Sequence, residues 1–178
     1  MRARSLIAAA LILAPATTAS AVPSSTELGK EEGRCRPGEK GPAFLVTVPA
    51  LKDHQGRLKL EVYPANATDF LADDDVLVGG GKVFRRVEEA IPATTPVHLC
   101  IRVPEGGPYG LVLLHDRNLD HKFNWTIDGI GFSNNPRLGW GKPAAKAVAV
   151  RAGPGLTPVT VVLNYRSGFR FAPLKPAR

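Results

Sequence analysis

Segment 115–124 holds the densest set of metal-binding side-chain types in the chain. Carboxylate and amide oxygens stand at alternate positions, in Asp116, Asn118, Asp120 and Asn124. Calcium takes about six to eight oxygen ligands, and one loop can supply most of them with this spacing. With the backbone carbonyl of Lys122 added, the segment matches the alternating ligand positions of an EF-hand loop. The chemistry that this spacing could support is therefore calcium binding.

Three features of the same loop argue against a cation. His121 stands where an EF-hand loop needs glycine, Asp128 comes one place too late for the final acidic ligand, and Lys122 adds a positive charge. In the alternative interpretation, Asp116 and Asn118 form Asx turns, in which a side-chain oxygen accepts a hydrogen bond from nearby backbone. The sequence favours this structural loop and keeps calcium open as the one candidate cofactor.

His115 is the histidine best placed for catalysis, because it ends a predicted buried strand over 111–114 and precedes Asp116. A catalytic histidine needs a concave pocket and a second functional group within hydrogen-bond reach. The chain has no Gly-x-Ser-x-Gly elbow, no His-Glu-x-x-His motif and no Cys–His pair. We therefore expect a structural histidine and no enzymatic activity. A small periplasmic enzyme centred on His115 and Asp116 is kept as an alternative.

Aromatic residues cluster around the Gly-Phe-Ser-Asn-Asn segment at 131–135. Trp125 and Trp140 flank this segment, and Phe123 and Phe132 lie close by in the sequence. Aromatic loops at the end of a β-sandwich can bind a glycan or a peptide, and they can also pack over the open end of the core. Exposure of both tryptophan rings on one face would favour binding.

The elements that must position these residues are predicted to be strands. Leu58, Leu60 and Val62 alternate with Lys59 and Glu61, which is the period-two pattern of a half-buried antiparallel strand. About seven strands are predicted, over residues 43–48, 58–63, 82–88, 97–103, 109–115, 146–151 and 159–165. Glycine- and proline-rich turns separate them, and no amphipathic helix of normal length is predicted. The pattern predicts an all-β fold, an antiparallel β-sandwich, with a closed barrel as the alternative.

Cys35 and Cys100 are the only cysteines in the chain. An even number of cysteines in an exported protein favours a disulfide, with two free thiols as the alternative. A bond would place the two Cα atoms about 4.4–6.8 Å apart. Neither cysteine has a second cysteine or a histidine at zinc-ligand spacing.

The acidic run Asp73–Asp75 is predicted to be a solvated loop, because adjacent acids cannot all point at one ion.

The N-terminal residues 1–21 have the pattern of a signal peptide, with Arg2 and Arg4 before a short apolar run and a small-x-small site at Ala19–Ala21. This pattern predicts a periplasmic or secreted protein with no membrane span in its mature chain. Residues 22–42 are predicted to be a loose N-terminal arm, residues 43–166 one domain, and residues 167–178 a C-terminal tail. The formal net charge is +7, but the basic residues are scattered, which argues against nucleic-acid binding.

Several segments in this order resemble the DUF2141 family, which consists of uncharacterised exported bacterial proteins. They are Phe44–Val48 with Leu51, Gly56–Tyr63, Phe70–Leu71, Leu113–Asn118 and Gly129–Asn135. The resemblance covers roughly residues 43–165. It implies a transthyretin- or prealbumin-like β-sandwich and no established activity. Many members have small or glycine residues after the His-Asp pair, where this chain has Leu119 and His121, and this departure would weaken a cation site.

Together, these observations predict an exported, disulfide-bonded module that binds an unknown protein, peptide or glycan ligand or has a structural role. Catalysis is not expected. The alternatives are the small enzyme described above and a calcium-stabilised adhesion or interaction domain.

Overall fold

The computed structural model describes residues 22–175. The predicted signal peptide lies outside the described residues. The secondary-structure elements are, in chain order, β1 (Ala43–Val48), β2 (Arg57–Pro64), α1 (Asp74–Gly79), β3 (Arg85–Ala90), β4 (Val97–Arg102), β5 (Gly107–Asp116), β6 (Gly129–Phe132), α2 (Ala145–Val148), β7 (Ala149–Ala152), β8 (Leu156–Thr160), β9 (Asn164–Ser167) and β10 (Arg170–Pro173). Between residues 22 and 175, no helix has the length and apolar character needed to cross a membrane.

The strands form two sheets. The larger sheet has the order β10-β9-β6-β5-β2-β3, with β7 also pairing with β5, and the smaller sheet has the order β4-β1-β8. All of these pairings are antiparallel except that of β1 with β8. One core cluster joins the two sheets through side chains such as Phe44, Leu60 and Leu113. The predicted all-β sandwich is therefore confirmed.

Strand β5 is covered on both faces, as its continuous apolar run predicted. Leu111 and Leu113 belong to the core shared by the two sheets. Val112 points to the opposite face and belongs to a second cluster, which includes Leu77 of α1 and Val148 of α2. The two short helices thus cover the outer face of the larger sheet. His115 lies two residues after Leu113, so it points to the core between the two sheets, where it is fully buried.

Residues 22–175 form ten strands, whereas the sequence predicts about seven. The sequence does not predict strand β6, because Gly129 and Gly131 interrupt its apolar pattern. A Cβ atom on Gly129 would lie 2.4 Å from the ring of Tyr165, and one on Gly131 would lie 2.8 Å from the carbonyl oxygen of Val162. These glycines therefore allow β6 to pack closely against the segment that contains β9.

The predicted C-terminal tail is also corrected, because β10 pairs with β9 as a hairpin. Gly168 makes the turn with a φ of 64°, in the left-handed region that favours glycine. The amide of Leu174 then donates to the carbonyl of Leu163 at 2.8 Å. The single strand predicted over 159–165 is divided between β8 and β9.

The N-terminal arm, residues 22–42, is bonded to the domain rather than loose. The carbonyl of Gly29 accepts a hydrogen bond from the amide of Arg86 at 2.8 Å, and the amide of Glu31 donates to the carbonyl of Arg86 at 2.7 Å. The arm therefore runs beside edge strand β3 and satisfies backbone groups that an edge strand would otherwise leave open.

The predicted disulfide is present between Cys35 in the arm and Cys100 in β4, with the two Cα atoms 5.5 Å apart. Near this bond the amide of Cys100 also donates to the carbonyl of Gly33 at 3.2 Å. The arm is thus attached to both sheets, by backbone bonds to β3 and by a covalent bond to β4.

A buried ionic cluster lies under the arm and corrects the solvated loop predicted over Asp73–Asp75. Asp74 begins α1 and is buried, and so is Glu61 on β2. Between them, Arg86 donates from Nε to Glu61 Oε1 at 2.9 Å and from Nη2 to Asp74 Oδ2 at 3.1 Å. Its Nη1 donates to the carbonyl of Ser25 in the arm at 2.9 Å. Strand β2 is therefore covered on both faces, not half-buried.

Candidate functional site

The loop between β5 and β6, residues 116–128, is called the acidic loop below. Of the predicted calcium ligands, Asp116 and Asp120 come together, and Asp128 joins them with carboxylate oxygens within 4.8 Å of one another. The EF-hand spacing does not predict Asp128 as a ligand, because it comes one place too late. The other predicted ligands, Asn118, Lys122 and Asn124, each donate an N–H to Asp120 or Asp128 at 2.7–2.8 Å.

The carboxylates of the acidic loop bind the backbone of the loop itself. Asp116 accepts from the amides of Asp120 at 3.2 Å and His121 at 3.0 Å. Asp128 accepts from the amides of Arg117 at 3.0 Å and Asn124 at 2.8 Å. These bonds have the role predicted for the structural loop, although they span more residues than an Asx turn.

The Asx turns of the acidic loop are centred on Asp120 and Asn124, not on Asp116 and Asn118 as predicted. Asp120 Oδ1 accepts from the amide of Lys122 at 2.8 Å, and Asn124 Oδ1 accepts from the amide of Thr126 at 3.0 Å. The amide N–H donors of the loop converge on its carboxylates and reduce their need for an external cation.

A positive side chain also faces the acidic loop. Arg57 Nε lies 3.8 Å from Asp116 Oδ2, and it is the one buried side-chain polar atom without a hydrogen-bond partner among residues 22–175. The guanidinium is held there by a bond from Nη1 to Glu88 Oε2 at 3.1 Å. A guanidinium at this distance supplies part of the positive charge that a metal ion would otherwise provide.

We predict that Asp116→Ala lowers the free energy of unfolding by about 1–2 kcal/mol, because two backbone donors lose their acceptor. The loss should be equal in calcium and in chelator, as followed by thermal melting. A ligand stabilises only the state that binds it. A calcium-dependent rise in the melting temperature of the unmutated protein, absent from the variant, would instead establish the cation site.

His115 is fully buried at the end of β5. Its Nε2 lies 2.8 Å from the carbonyl oxygen of Gln55, which only accepts, so Nε2 carries the proton and Nδ1 accepts from the Tyr165 hydroxyl at 2.6 Å. Burial lowers the pKa of His115 below its usual value of 6.5, which keeps the ring neutral. Burial also raises the pKa of Tyr165 to about 12, so the hydroxyl keeps its proton. Both ring nitrogens of His115 are thus engaged inside the core.

A pocket of about 640 Å³ lies where the acidic loop, the segment after β6 and the β9–β10 hairpin meet. This aromatic pocket is lined by residues that include Trp125, Arg137, Trp140, Phe169, Arg170 and Phe171. Asn135 Nδ2 holds one wall by donating to the carbonyl of Thr160 at 2.9 Å, and Asn135 Oδ1 accepts from the amide of Val162 at 2.7 Å.

The two tryptophans meet in the aromatic pocket. The ring centroids of Trp125 and Trp140 are 6.1 Å apart with the planes inclined by 63°. Trp140 is 78% exposed, Phe169 is 81% exposed and Trp125 is 41% exposed. The guanidinium carbon of Arg166 lies 4.5 Å from the Trp125 ring centroid, a cation–π contact that orients this ring.

The sequence predicts only part of this pocket. It singled out Trp125 and Trp140, and the structure brings them together with both rings exposed. It also named Phe132, which is buried in the second core cluster, and Phe123, which packs on Phe171 at 5.9 Å between ring centroids. The hairpin residues that line the pocket fall in the predicted C-terminal tail, residues 167–178. Within that segment, Gly168 is the residue type that indicates a turn.

A family model described as an uncharacterized protein conserved in bacteria (DUF2141) matches residues 46–160. The matched region includes Trp125, Arg137 and Trp140, and it ends before the β9–β10 hairpin. Comparison with curated proteins and with solved structures gives no match. The transthyretin-like topology that the sequence resemblance implied therefore stays a prediction.

Proposed function

This chain belongs to the DUF2141 family, and we propose that it is an exported, non-catalytic binding module whose ligand occupies the aromatic pocket. The observation that carries the proposal is the pair of tryptophans, Trp125 and Trp140, exposed side by side in a concavity. Large aromatic side chains gain free energy when a ligand removes their surface from water.

The size and lining of the pocket support this proposal. Ligand pockets typically enclose about 300–1,000 Å³ and combine apolar walls with a few polar groups, and the aromatic pocket has about 640 Å³. Exposed aromatic surface that is collected in one place, instead of being scattered, is characteristic of interaction sites.

The chemistry of the best-placed histidine supports binding rather than catalysis. His115 is neutral and buried, and its two ring nitrogens are bonded to Gln55 and Tyr165. A general base must reach a proton on the substrate, and a ring enclosed in this way has no free nitrogen to offer. Export is supported by the disulfide, since such bonds persist mainly in oxidising compartments.

A binding comparison between the mature protein and Trp140→Ala tests the proposal. Both proteins are applied to immobilised glycan and peptide arrays, and retention of the native protein should fall by about tenfold in the variant, equivalent to about 1.4 kcal/mol. Leu156→Ala is the control, because it removes another exposed apolar side chain outside the aromatic pocket. If native protein and Trp140→Ala are retained equally on every array, the proposal is wrong.

A further inference from the structure

The aromatic pocket carries positive charge without a matching acid. Arg137 and Arg170 are among its fourteen lining residues, and none of the fourteen is an aspartate or a glutamate. Arg166 adds a third guanidinium beside Trp125. A cleft lined by one sign of charge attracts ligands of the opposite sign.

Most of the other arginines within residues 22–175 are paired with a carboxylate. Six arginines have a carboxylate oxygen within 4.0 Å, namely Arg36, Arg57, Arg85, Arg86, Arg102 and Arg117. Over residues 22–175, five arginines have no such ion pair, and three of the five, Arg137, Arg166 and Arg170, lie at the aromatic pocket, whereas Arg34 and Arg151 do not. Three unpaired guanidinium groups are therefore gathered at one pocket, where planar N–H forks can bind a carboxylate, sulfate or phosphate.

The exposed tryptophan suits a sugar ring. An aromatic face is negative and its edge positive, and the C–H bonds on one face of a pyranose ring present weakly positive hydrogens to such a face. Trp140 exposes most of its ring, and Trp125 stands next to it at an angle of 63°. Two inclined rings can contact successive units of a short oligosaccharide.

An extended peptide fits this site less well. Peptides often bind by adding a strand to an exposed sheet edge, and β10 is the edge strand beside the pocket. It has only four residues, Arg170–Pro173, and Pro173 has no amide N–H to donate. Backbone pairing along this edge would therefore be short.

We propose that the ligand is an acidic oligosaccharide, with a sugar ring stacked on Trp140 and an anionic group bound between Arg137 and Arg170. This inference rests on the proposed function and specifies its ligand. The volume of about 640 Å³ lies within the usual range of about 300–1,000 Å³ for small-ligand sites.

The test uses intrinsic fluorescence, because the chain has only two tryptophans and both line the pocket. The mature protein is titrated with oligogalacturonate, and its methyl ester serves as the matched ligand control, since it keeps the sugar rings and removes the charge. We expect saturable quenching by oligogalacturonate and a Kd at least about tenfold weaker for the ester, as for a lost charge-assisted pair.

Two variants localise the anion. Arg137→Gln and Arg170→Gln should each weaken oligogalacturonate binding by about tenfold. Arg151→Gln on β7 changes the net charge equally outside the pocket and should leave the Kd within about twofold of the native value. Because these arginines are exposed, the variants should keep the native melting temperature, which separates lost binding from lost folding.

The outcomes distinguish this inference from the proposed function. The acidic-sugar inference is overturned if the ester binds as tightly as oligogalacturonate. It is also overturned if a neutral oligosaccharide or oligoglutamate binds more tightly than oligogalacturonate and in a manner that depends on Trp140. Either result leaves the proposed binding module intact. Equal weakening by Arg151→Gln also overturns the acidic-sugar inference, because attraction would then follow net charge. If no glycan or peptide is bound in a manner that depends on Trp140, both proposals fail.

Discussion

Arg86→Met is expected to lower the free energy of unfolding by about 3–5 kcal/mol, the usual cost of removing one partner from a buried ion pair. The guanidinium bonds Glu61 and Asp74, and both carboxylates are more than 90% buried. Without Arg86, the buried carboxylates of Glu61 and Asp74 lose their main positively charged partner. Chemical denaturation followed by circular dichroism measures the loss.

The size of this effect follows from how many elements Arg86 joins. Its side chain bonds β2, α1 and the arm residue Ser25, and it also lies 5.0 Å from the Phe84 ring centroid. Tyr63 shares Glu61 by donating its hydroxyl to Oε2 at 2.8 Å, and burial raises the pKa of Tyr63, which keeps this donor protonated. Removing the arginine therefore disturbs a connected network rather than one contact.

Arg85→Met is the matched control, because the neighbouring side chain makes a partly exposed pair with Glu31 at 2.9 Å. Exposed pairs contribute about 0–1 kcal/mol. Adding Glu61→Gln and Asp74→Asn to Arg86→Met should recover part of the stability, since the two buried carboxylates that faced Arg86 are then neutral. The recovery should be incomplete, because Lys59 also loses the carboxylate that lies 3.3 Å from its Nζ. Equal losses for Arg86→Met and Arg85→Met would show that the buried cluster does not stabilise the fold.

The strands that sequence reasoning found are those with a clear apolar pattern. Leu58, Leu60 and Val62 alternate and lie in the core, and the run at 111–114 forms the centre of β5. Local pattern is sufficient here because burial acts on every second residue, or on all of them when both faces are covered.

Features that depend on long-range packing were not predictable from the sequence. Gly129 and Gly131 weaken the strand pattern of β6, yet the close approach of Tyr165 and Val162 requires them. The local sequence predicts a solvated Asp74, because the two side chains that donate hydrogen bonds to it are distant in the chain. Arg86 lies 12 residues away and Ser24 lies 50 residues away. Tertiary contacts of this kind override local composition.

The sequence predicts only one part of the aromatic pocket, because the other part is formed by residues that are distant in the chain. Trp125 and Trp140 lie 15 positions apart and stood out as rare residue types. Phe169 and Arg170 come from a short hairpin with little apolar periodicity, so its pairing with the sheet could be seen only in three dimensions. The positive charge of the pocket depends on this hairpin, which is why the sequence suggested a glycan or peptide without distinguishing between them.

The second large effect is expected when the disulfide is removed with Cys35→Ser and Cys100→Ser together. The bond closes a loop between residues 65 positions apart, and chain entropy gives about 4 kcal/mol of stabilisation for a loop of this length. The cross-link acts mainly by restricting the unfolded chain. The double variant should therefore fold to the same sandwich with a lower denaturation midpoint.

Reduction separates this effect from damage caused by the serines. Native protein in excess reductant should unfold at the same denaturant concentration as the double variant, and the variant should not respond to reductant. The backbone bonds of Gly29 and Glu31 to Arg86 do not involve the cysteines, so the amides of Glu31 and Arg86 should remain partly protected from hydrogen exchange, with faster opening than in the oxidised protein. A native protein whose midpoint is unchanged by reductant would contradict the prediction. It would mean that the backbone bonds and the ionic cluster around Arg86 alone hold the arm and supply the stability assigned here to the cross-link.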